Sequence, residues 1–120
     1  MNYDITLYRI SKKKGRSKMI IEVKHPLIEH KLSILRDKNT GTKEFRELAN
    51  EIATILCYEA MRDAKLEKCE IETPLQKITT NKIDENKYAF VPILRAGMGM
   101  TSGIENLIPN AKIGVIGLYR

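Results

Sequence analysis

The sequence predicts an α/β protein, because helical and strand patterns follow one another along a single short chain. Two segments, at about 26–35 and 43–64, carry apolar residues at the three- and four-residue spacings of amphipathic helices. Further along, an apolar run at 88–94, a glycine-bearing turn with a helical segment, and a second apolar run at 112–119 follow in order. That order is typical of a βαβ unit with parallel strands.

The first helix is predicted to begin at Pro26, directly after His25. Proline suits the first helical position because its missing N–H would have no intrahelical partner there. The turn residues of segment 36–41 end the pattern. The predicted helix places three apolar residues on one face: Ile28, Leu32 and Leu35.

The second helix is predicted at 43–64, with Thr42 as its N-cap. Glutamates in its first turns are favoured by the helix dipole. Cys57 falls within the apolar pattern, which predicts a buried thiol. A long stripe at helical period is expected to form the core: Phe45, Leu48, Ala49, Ile52, Ile55, Leu56 and Ala60.

A short strand is predicted from Cys69 to Leu75, where polar and β-branched residues alternate. It is expected to pair with residues near 76–80, and segment 81–86 reads as a polar turn.

The runs at 88–94 and 112–119 are expected to be buried parallel strands. Pro92 conflicts with this expectation because proline cannot donate to a sheet ladder, so the strand either lies at an edge or bends there. Residues 94–100 form the turn that follows, and a helix is predicted from there to about Leu107.

The net charge of +6 in 120 residues is concentrated at one end of the chain. Residues 1–24 hold seven basic residues against two acidic ones, a net of +5, whereas 25–120 hold fourteen against thirteen. A basic run of this kind is typical of a solvated extension, and no aromatic residues interleave it as in nucleic-acid-binding modules. We therefore expect no specific nucleic-acid partner, and we assign 1–19 to a basic extension and 20–120 to the folded domain.

Several further classes are excluded by composition. No apolar run reaches the roughly 18–20 residues of a membrane span, and no secretory signal pattern is present, so a cytoplasmic protein without a membrane partner is expected. Two cysteines and two histidines at these spacings do not predict a disulfide framework or a zinc site.

One turn has the residues expected of an anion site. Arg95, Ala96 and Gly97 follow the apolar strand run, at the strand end where ligands bind in open α/β sheets. Free N–H groups at a helix start favour anions, glycine allows close approach, and an arginine fork suits phosphate. Arg120 ends the next strand run and is expected near the same crevice. The alternative to an anion site is a tight turn in which Arg95 is simply a surface arginine. The alternative for Arg120 is a charged residue at a strand end.

Many short segments of the chain strongly resemble the uracil phosphoribosyltransferase family. Two of them, Pro-Ile-Leu-Arg-Ala-Gly at 92–97 and Gly-Leu-Tyr-Arg at 117–120, are specific to this family among phosphoribosyltransferases. The resemblance runs from about residue 20 to residue 120. The matching segments are 23–28, 30–33, 35–37, 42–43, 45–48, 58–60, 72–74, 91–100, 108–111 and 116–120.

The resemblance implies the reaction of uracil with phosphoribosyl pyrophosphate to give UMP and pyrophosphate, a step of pyrimidine salvage. It also implies Mg²⁺ carried with the pyrophosphate, GTP as an activator, and a homodimer or homotetramer. Arg95 and Arg120 match the family's two phosphoribosyl-pyrophosphate-binding arginines, and Ala96 and Gly97 would offer backbone N–H groups to the pyrophosphate. The implied fold is an incomplete type I phosphoribosyltransferase, with the N-terminal helices and the first parallel strands.

Two family elements are not found in the sequence: the acidic, Gly/Thr-rich loop for the ribose 5-phosphate and the Gly-rich segment for uracil. We therefore expect the N-terminal portion of a larger domain, with exposed apolar sheet surface, no catalytic residue and no metal ligand of its own, and no activity alone. A compact small α+β domain is the alternative fold. The alternative functions are a non-enzymatic remnant that binds a nucleotide or partner, and a small basic nucleic-acid-binding domain.

Overall fold

The computed structural model of the protein describes residues 7–8 and 20–118. The helices are α1 (Pro26–Arg36), α2 (Thr42–Ala60) and α3 (Thr101–Glu105), with 3₁₀ turns at Glu85–Lys87 and Ala96–Met100. The strands are β1 (Leu7–Tyr8), β2 (Ile20–Ile21), β3 (Leu66–Glu72), β4 (Lys77–Ile83), β5 (Ala89–Phe90), β6 (Ile93–Leu94), β7 (Lys112–Ile113) and β8 (Ile116–Gly117). The α/β class is confirmed.

Helix α1 begins at Pro26, as predicted, and His25 caps it. The Nδ1 atom of His25 accepts a hydrogen bond from the Leu27 N–H at 3.1 Å, which satisfies one of the donors that a helix start leaves free. The structure thus gives His25 a local role that the sequence analysis left open.

Helix α2 differs from its prediction at both ends. Gly41, not Thr42, is the N-cap, so that prediction was wrong: Thr42 already has helical geometry, and the Gly41 carbonyl accepts the first bond, from the Phe45 N–H at 2.9 Å. The helix ends at Ala60 rather than residue 64, because the N–H groups after Met61 bond in tighter turns, such as Arg62 to the Glu59 carbonyl at 3.1 Å.

The core lies between α1 and α2. Ile28 and Leu35 of α1 pack with buried α2 residues, and Ile52 is completely inaccessible to solvent. Phe45 was predicted to join them but is 43% exposed, because it lies in the first turn of α2, before Leu48, the first buried position. The buried α2 residues are Leu48, Ile52, Ala53, Leu56 and Cys57.

Strands β3 and β4 form an antiparallel hairpin. The predicted pairing is confirmed, but both strands are longer at their outer ends, and the ladder continues to the pair Leu66 and Ile83. Segment 81–83 is therefore strand rather than the predicted polar turn. At the tip, the Thr73 N–H and hydroxyl both bond the Gln76 carbonyl, at 2.9 and 2.8 Å.

Strands β5 and β6 pair in parallel with β7 and β8. Both pairings share one register, since Phe90 lies opposite Ile113 and Ile93 opposite Ile116. The predicted strand is therefore one ladder interrupted at Pro92, whose carbonyl accepts from the Ile116 N–H at 3.1 Å but whose nitrogen has no hydrogen to donate. The predicted burial was wrong: Ile93, Ile116 and several neighbours are about half exposed.

Helix α3 rests closely on α2. The Thr54 hydroxyl lies within hydrogen-bonding distance of the Asn50 carbonyl (2.9 Å) and of the Gly103 carbonyl (3.0 Å). A Cβ atom on Gly103 would lie 2.2 Å from the Asn50 oxygen, so only glycine fits. The helix predicted after the turn at 94–100 is present as α3, but it ends at Glu105 rather than at about Leu107. Among the described residues, no helix is both long and apolar enough to cross a membrane.

Candidate functional site

The predicted anion-binding residues begin directly after β6. Arg95 has helical backbone angles (φ −97°, ψ −25°) and its carbonyl accepts a hydrogen bond from the Met98 N–H at 3.1 Å. The peptide bond between Leu94 and Arg95 is cis. Strand β6 ends at Leu94 and the 3₁₀ turn begins at Ala96, which places Arg95 at the end of the strand.

The Arg95 side chain is available for a ligand. The residue is exposed, and within segment 20–118 no carboxylate lies close enough to form a salt bridge with its guanidinium. A guanidinium has five N–H donors in a planar fork, which matches the oxygens of a phosphate. An unpaired, solvent-accessible fork is what an anion site needs before its ligand arrives.

Two backbone donors follow Arg95 directly in the chain. Ala96 and Gly97 are the first two residues of the 3₁₀ turn, and the first N–H that bonds within the turn belongs to Met98. The turn itself therefore provides no acceptor for the Ala96 and Gly97 N–H groups. Together with Arg95 they form a contiguous set of donors.

Gly97 packs closely against the preceding strand. A Cβ atom at this position would lie 3.2 Å from the Pro92 Cβ and 3.3 Å from its Cα and carbonyl carbon. By contrast, a Cβ atom on Gly99 would meet nothing within 4 Å. Because Gly97 has no side chain, the turn packs directly on Pro92.

A helix dipole contributes less to this site than the sequence predicts. The anion site was predicted at the start of a helix, whose dipole would add positive charge. The segment after Arg95 is instead a 3₁₀ turn, Ala96–Met100, followed by the five-residue helix α3. Such short elements sum few peptide dipoles, so attraction for an anion depends on Arg95 and the free N–H groups.

Met100 anchors the turn to the core, a role that the sequence analysis missed. It is partly buried and packs against the α1–α2 cluster, while the Thr101 hydroxyl bonds the Met98 carbonyl at 2.9 Å. In the sequence, the spacing of Met100 from the strand is the only signal for this role. Spacing alone does not show against which residues an apolar side chain packs.

The remaining predicted site residue, Arg120, lies outside the described residues. The structure therefore brings together Arg95, Ala96 and Gly97 and leaves the predicted meeting of Arg95 with Arg120 as a prediction. In the described part of the chain, no three His, Cys, Asp or Glu side chains are grouped so that they could hold a metal ion.

Two residues that lie away from this turn, Cys57 and Lys87, have raised pKa values. Burial in α2 raises the pKa of the Cys57 thiol above its ordinary value. A hydrogen bond with Glu67 raises the pKa of Lys87, and this pair links the hairpin to the corner before β5. The Asn110 N–H donates to a Glu85 carboxylate oxygen at 2.8 Å at the same corner. Neither of these two contacts involves the donors of the Arg95 turn.

Comparison with known proteins identifies close relatives. The family described as uracil phosphoribosyltransferase matches residues 22–120. A protein named uracil phosphoribosyltransferase from Finegoldia magna is 59% identical over 96 residues, which are 80% of this chain and 46% of the relative. One of the same name from Listeria monocytogenes serovar 1/2a is 57% identical over 98 residues, 82% of this chain and 47% of the relative.

A solved structure, of the AQ2163 protein from Aquifex aeolicus, has a similar fold. It aligns with a TM-score of 0.80 and 38% sequence identity, over 83% of this chain and 48% of that one. The chain thus spans about half the length of the relatives that it matches. The family match includes the strand, the Arg95 turn and the helices that hold it. The chain belongs to the uracil phosphoribosyltransferase family.

Proposed function

We propose that this chain supplies the pyrophosphate-binding part of a uracil phosphoribosyltransferase, which joins uracil to phosphoribosyl pyrophosphate and releases pyrophosphate in pyrimidine salvage. The observation that carries the proposal is the exposed Arg95 at the end of β6, which has no salt-bridge partner among the described residues and lies within the segment that matches the family. Family membership alone would allow a remnant without a site, but the donors of this turn are intact.

The chemistry follows from where charge develops. As the bond between the ribose and pyrophosphate breaks, negative charge builds up on the leaving pyrophosphate. Donors that are already oriented toward that charge stabilise the transition state more than the ground state. The Ala96 and Gly97 N–H groups are donors of this kind. The Arg95 fork adds charge-assisted hydrogen bonds once the ligand orders it, and the set suits a diphosphate better than a single carboxylate.

The donors of the Arg95 turn suit one end of phosphoribosyl pyrophosphate, its pyrophosphate group. Mg²⁺ carried with the pyrophosphate, where it would neutralise charge, is part of the proposal on the family resemblance alone. Recognition of uracil and of the ribose 5-phosphate is assigned to the half of the domain that this chain does not match. Arg120 as second arginine, activation by GTP, a cytoplasmic location and a homodimer or homotetramer remain predictions from the family.

A chimaera tests the role of Arg95. Residues 22–120 of this chain would replace the matched segment of the Finegoldia magna relative, and conversion of labelled uracil to UMP would be measured. We expect activity in the chimaera and a loss of at least about tenfold in kcat/KM for Arg95→Ala, which corresponds to about 1.4 kcal/mol of transition-state stabilisation. Arg95→Lys keeps the charge but not the fork, so its activity should be intermediate.

The matched control is Lys38→Ala, which removes an exposed positive charge in the turn between α1 and α2. Its kcat/KM should equal that of the parent chimaera. An unchanged kcat/KM for Arg95→Ala in an active chimaera would remove Arg95 from the site.

A further inference from the structure

Helix α3 continues directly from the Arg95 turn (residues 95–100), so the position of α3 sets where the turn ends. The 3₁₀ helix closes at Met100, and Thr101 is already the first residue of α3, with no linker between them. A helix of five residues has few hydrogen bonds of its own, so its place depends on the element against which it packs. For α3 that element is α2, since Gly103 lies directly against the Asn50 carbonyl.

The carbonyl of Gly103 has no backbone partner within segment 20–118. The Asn106 N–H donates to the Ser102 carbonyl at 3.1 Å. The Leu107 N–H, which would reach Gly103 in a continuing α-helix, donates to the Ile104 carbonyl instead, at 3.0 Å. Gly103 is buried, and a buried carbonyl that lacks a hydrogen bond destabilises the fold. This carbonyl therefore needs a donor from outside α3.

The Thr54 hydroxyl of α2 is the donor that meets this carbonyl. It lies 3.0 Å from the Gly103 oxygen and 2.9 Å from the Asn50 oxygen, one turn earlier in α2. A hydroxyl has one hydrogen to donate. The Asn50 carbonyl lies inside α2, where it already accepts the hydrogen bond of the helix, whereas the Gly103 carbonyl receives no N–H within segment 20–118. The hydrogen therefore stabilises the fold most at Gly103, where it ties α3 to α2.

We propose that Thr54 is a positioning residue for the pyrophosphate-binding Arg95 turn. Its hydroxyl holds α3 against α2, and α3 in turn holds the end of the 3₁₀ helix whose start carries the donors of Ala96 and Gly97. Thr54 thus acts through α3 and not by contact with the substrate. The proposal rests on the proposed function for its ligand, whereas the tie between α2 and the turn can be measured without any ligand.

Hydrogen exchange of the full 120-residue chain tests the tie. Thr54→Val keeps the shape of the side chain but removes the hydroxyl. We expect the backbone amides of segment 96–105 to exchange at least about threefold faster in this variant, because the segment opens more often when α3 is held less firmly. Mass spectrometry of proteolytic peptides measures the exchange. Thr54→Ser restores the hydroxyl and should return the exchange to that of the parent chain.

Thr40→Val is the matched control. The Thr40 hydroxyl donates to the Ile34 carbonyl at 2.5 Å, so this variant loses the same kind of partly buried hydrogen bond, but in the turn between α1 and α2. Its exchange should rise near that turn and stay equal to that of the parent in segment 96–105. The comparison separates an effect on the Arg95 turn from a general loss of stability.

Kinetics of the chimaera that carries residues 22–120 test what the tie does for binding. A turn that the ligand must bring into place weakens the binding of phosphoribosyl pyrophosphate equally in the ground state and in the transition state. Thr54→Val should therefore raise KM for phosphoribosyl pyrophosphate at least about threefold, with kcat within about twofold of the parent, and Thr54→Ser should restore KM. A general loss of folded enzyme would instead lower kcat and leave KM unchanged, which is the most that Thr40→Val should do.

The outcomes distinguish this proposal from the proposed function. Exchange in segment 96–105 that is equal in Thr54→Val and the parent, or that rises equally in Thr54→Val and Thr40→Val, would overturn the positioning role. Faster exchange with an unchanged KM in an active chimaera would overturn it too. An inactive parent chimaera, or one whose kcat/KM does not depend on Arg95, counts against the proposed function instead, and the exchange measurement then decides whether Thr54 holds the turn.

Discussion

At the scale of single residues, the site illustrates what a sequence can show. Arg95, Ala96 and Gly97 are adjacent in the chain, so their convergence needed no long-range contact and could be predicted. The contact between Gly97 and Pro92 and the insertion of Met100 into the helical core depend on how separate elements pack. Spacing along a chain does not determine such packing, so these supports were found only in the structure.

The two cysteines should differ in reactivity. Cys57 is only 2% exposed and its pKa is raised by burial, whereas Cys69 is partly exposed in the hairpin. Because the thiolate is the reactive form, we expect Cys69 to be alkylated at least about tenfold faster than Cys57 at pH 8, measured by mass spectrometry of the labelled peptides.

The Cys69→Ser variant is the control, since it should leave one slowly reacting thiol that becomes fast in urea. The raised pKa of Cys57 also makes stability depend on pH, because ionisation of the buried thiol disfavours the folded state. The contribution of the neutral Cys57 thiol to stability is complete below about pH 8.5 and is lost as the pH rises further. Equal labelling rates in the native protein would contradict the buried position of Cys57.

At the scale of elements, the helices were predicted better than the strands. The start of α1 at Pro26 follows from local chemistry, and so does the amphipathic stripe of α2. The end of α2 and the exposure of Phe45 depend on which turns of the helix meet α1, which the stripe does not reveal. In the parallel ladder, Pro92 was recognised as a conflict, and the structure resolves it as an interruption within one register.

The contact between α2 and α3 predicts a large effect of one methyl group. In Gly103→Ala the new Cβ would lie 2.2 Å from the Asn50 carbonyl oxygen, so α3 must move away from α2. We expect a loss of about 1–3 kcal/mol in the free energy of unfolding, measured by urea denaturation.

Gly99→Ala is the matched control, because its Cβ would meet nothing within 4 Å. Its stability should equal that of the parent or rise slightly, since alanine restricts the unfolded chain. If Gly103→Ala were as stable as Gly99→Ala, the close approach of α3 to α2 would be wrong.

At the scale of the whole molecule, the net charge was the least informative quantity. Most of the +6 belongs to residues 1–24, whereas the family match begins at residue 22. The exposed apolar strands were more informative, because they agree with the expectation of apolar sheet surface and with the half-length match to the relatives. Which residues cover such strands depends on packing between distant parts of a fold, which a sequence pattern does not show.

The 120-residue chain alone should not convert labelled uracil to UMP. The proposed function assigns the described residues donors for pyrophosphate but no surface for the base, and half of the relatives' length is unmatched. Chromatographic separation of the labelled products checks this, with the Finegoldia magna enzyme as positive control. Turnover by the purified chain that scales with its concentration would show that this half is sufficient.

The close packing of Gly97 against Pro92 has a thermodynamic consequence for any anion that binds the turn. The backbone on either side of Arg95 is fixed, by the pairing of Leu94 with Gly117 before it and by the Gly97–Pro92 contact after it. The loss of backbone conformational entropy that ordering this turn requires is therefore incurred when the chain folds and not when a ligand arrives. Only the arginine side chain remains to be ordered, so more of the free energy of its hydrogen bonds is retained as binding affinity.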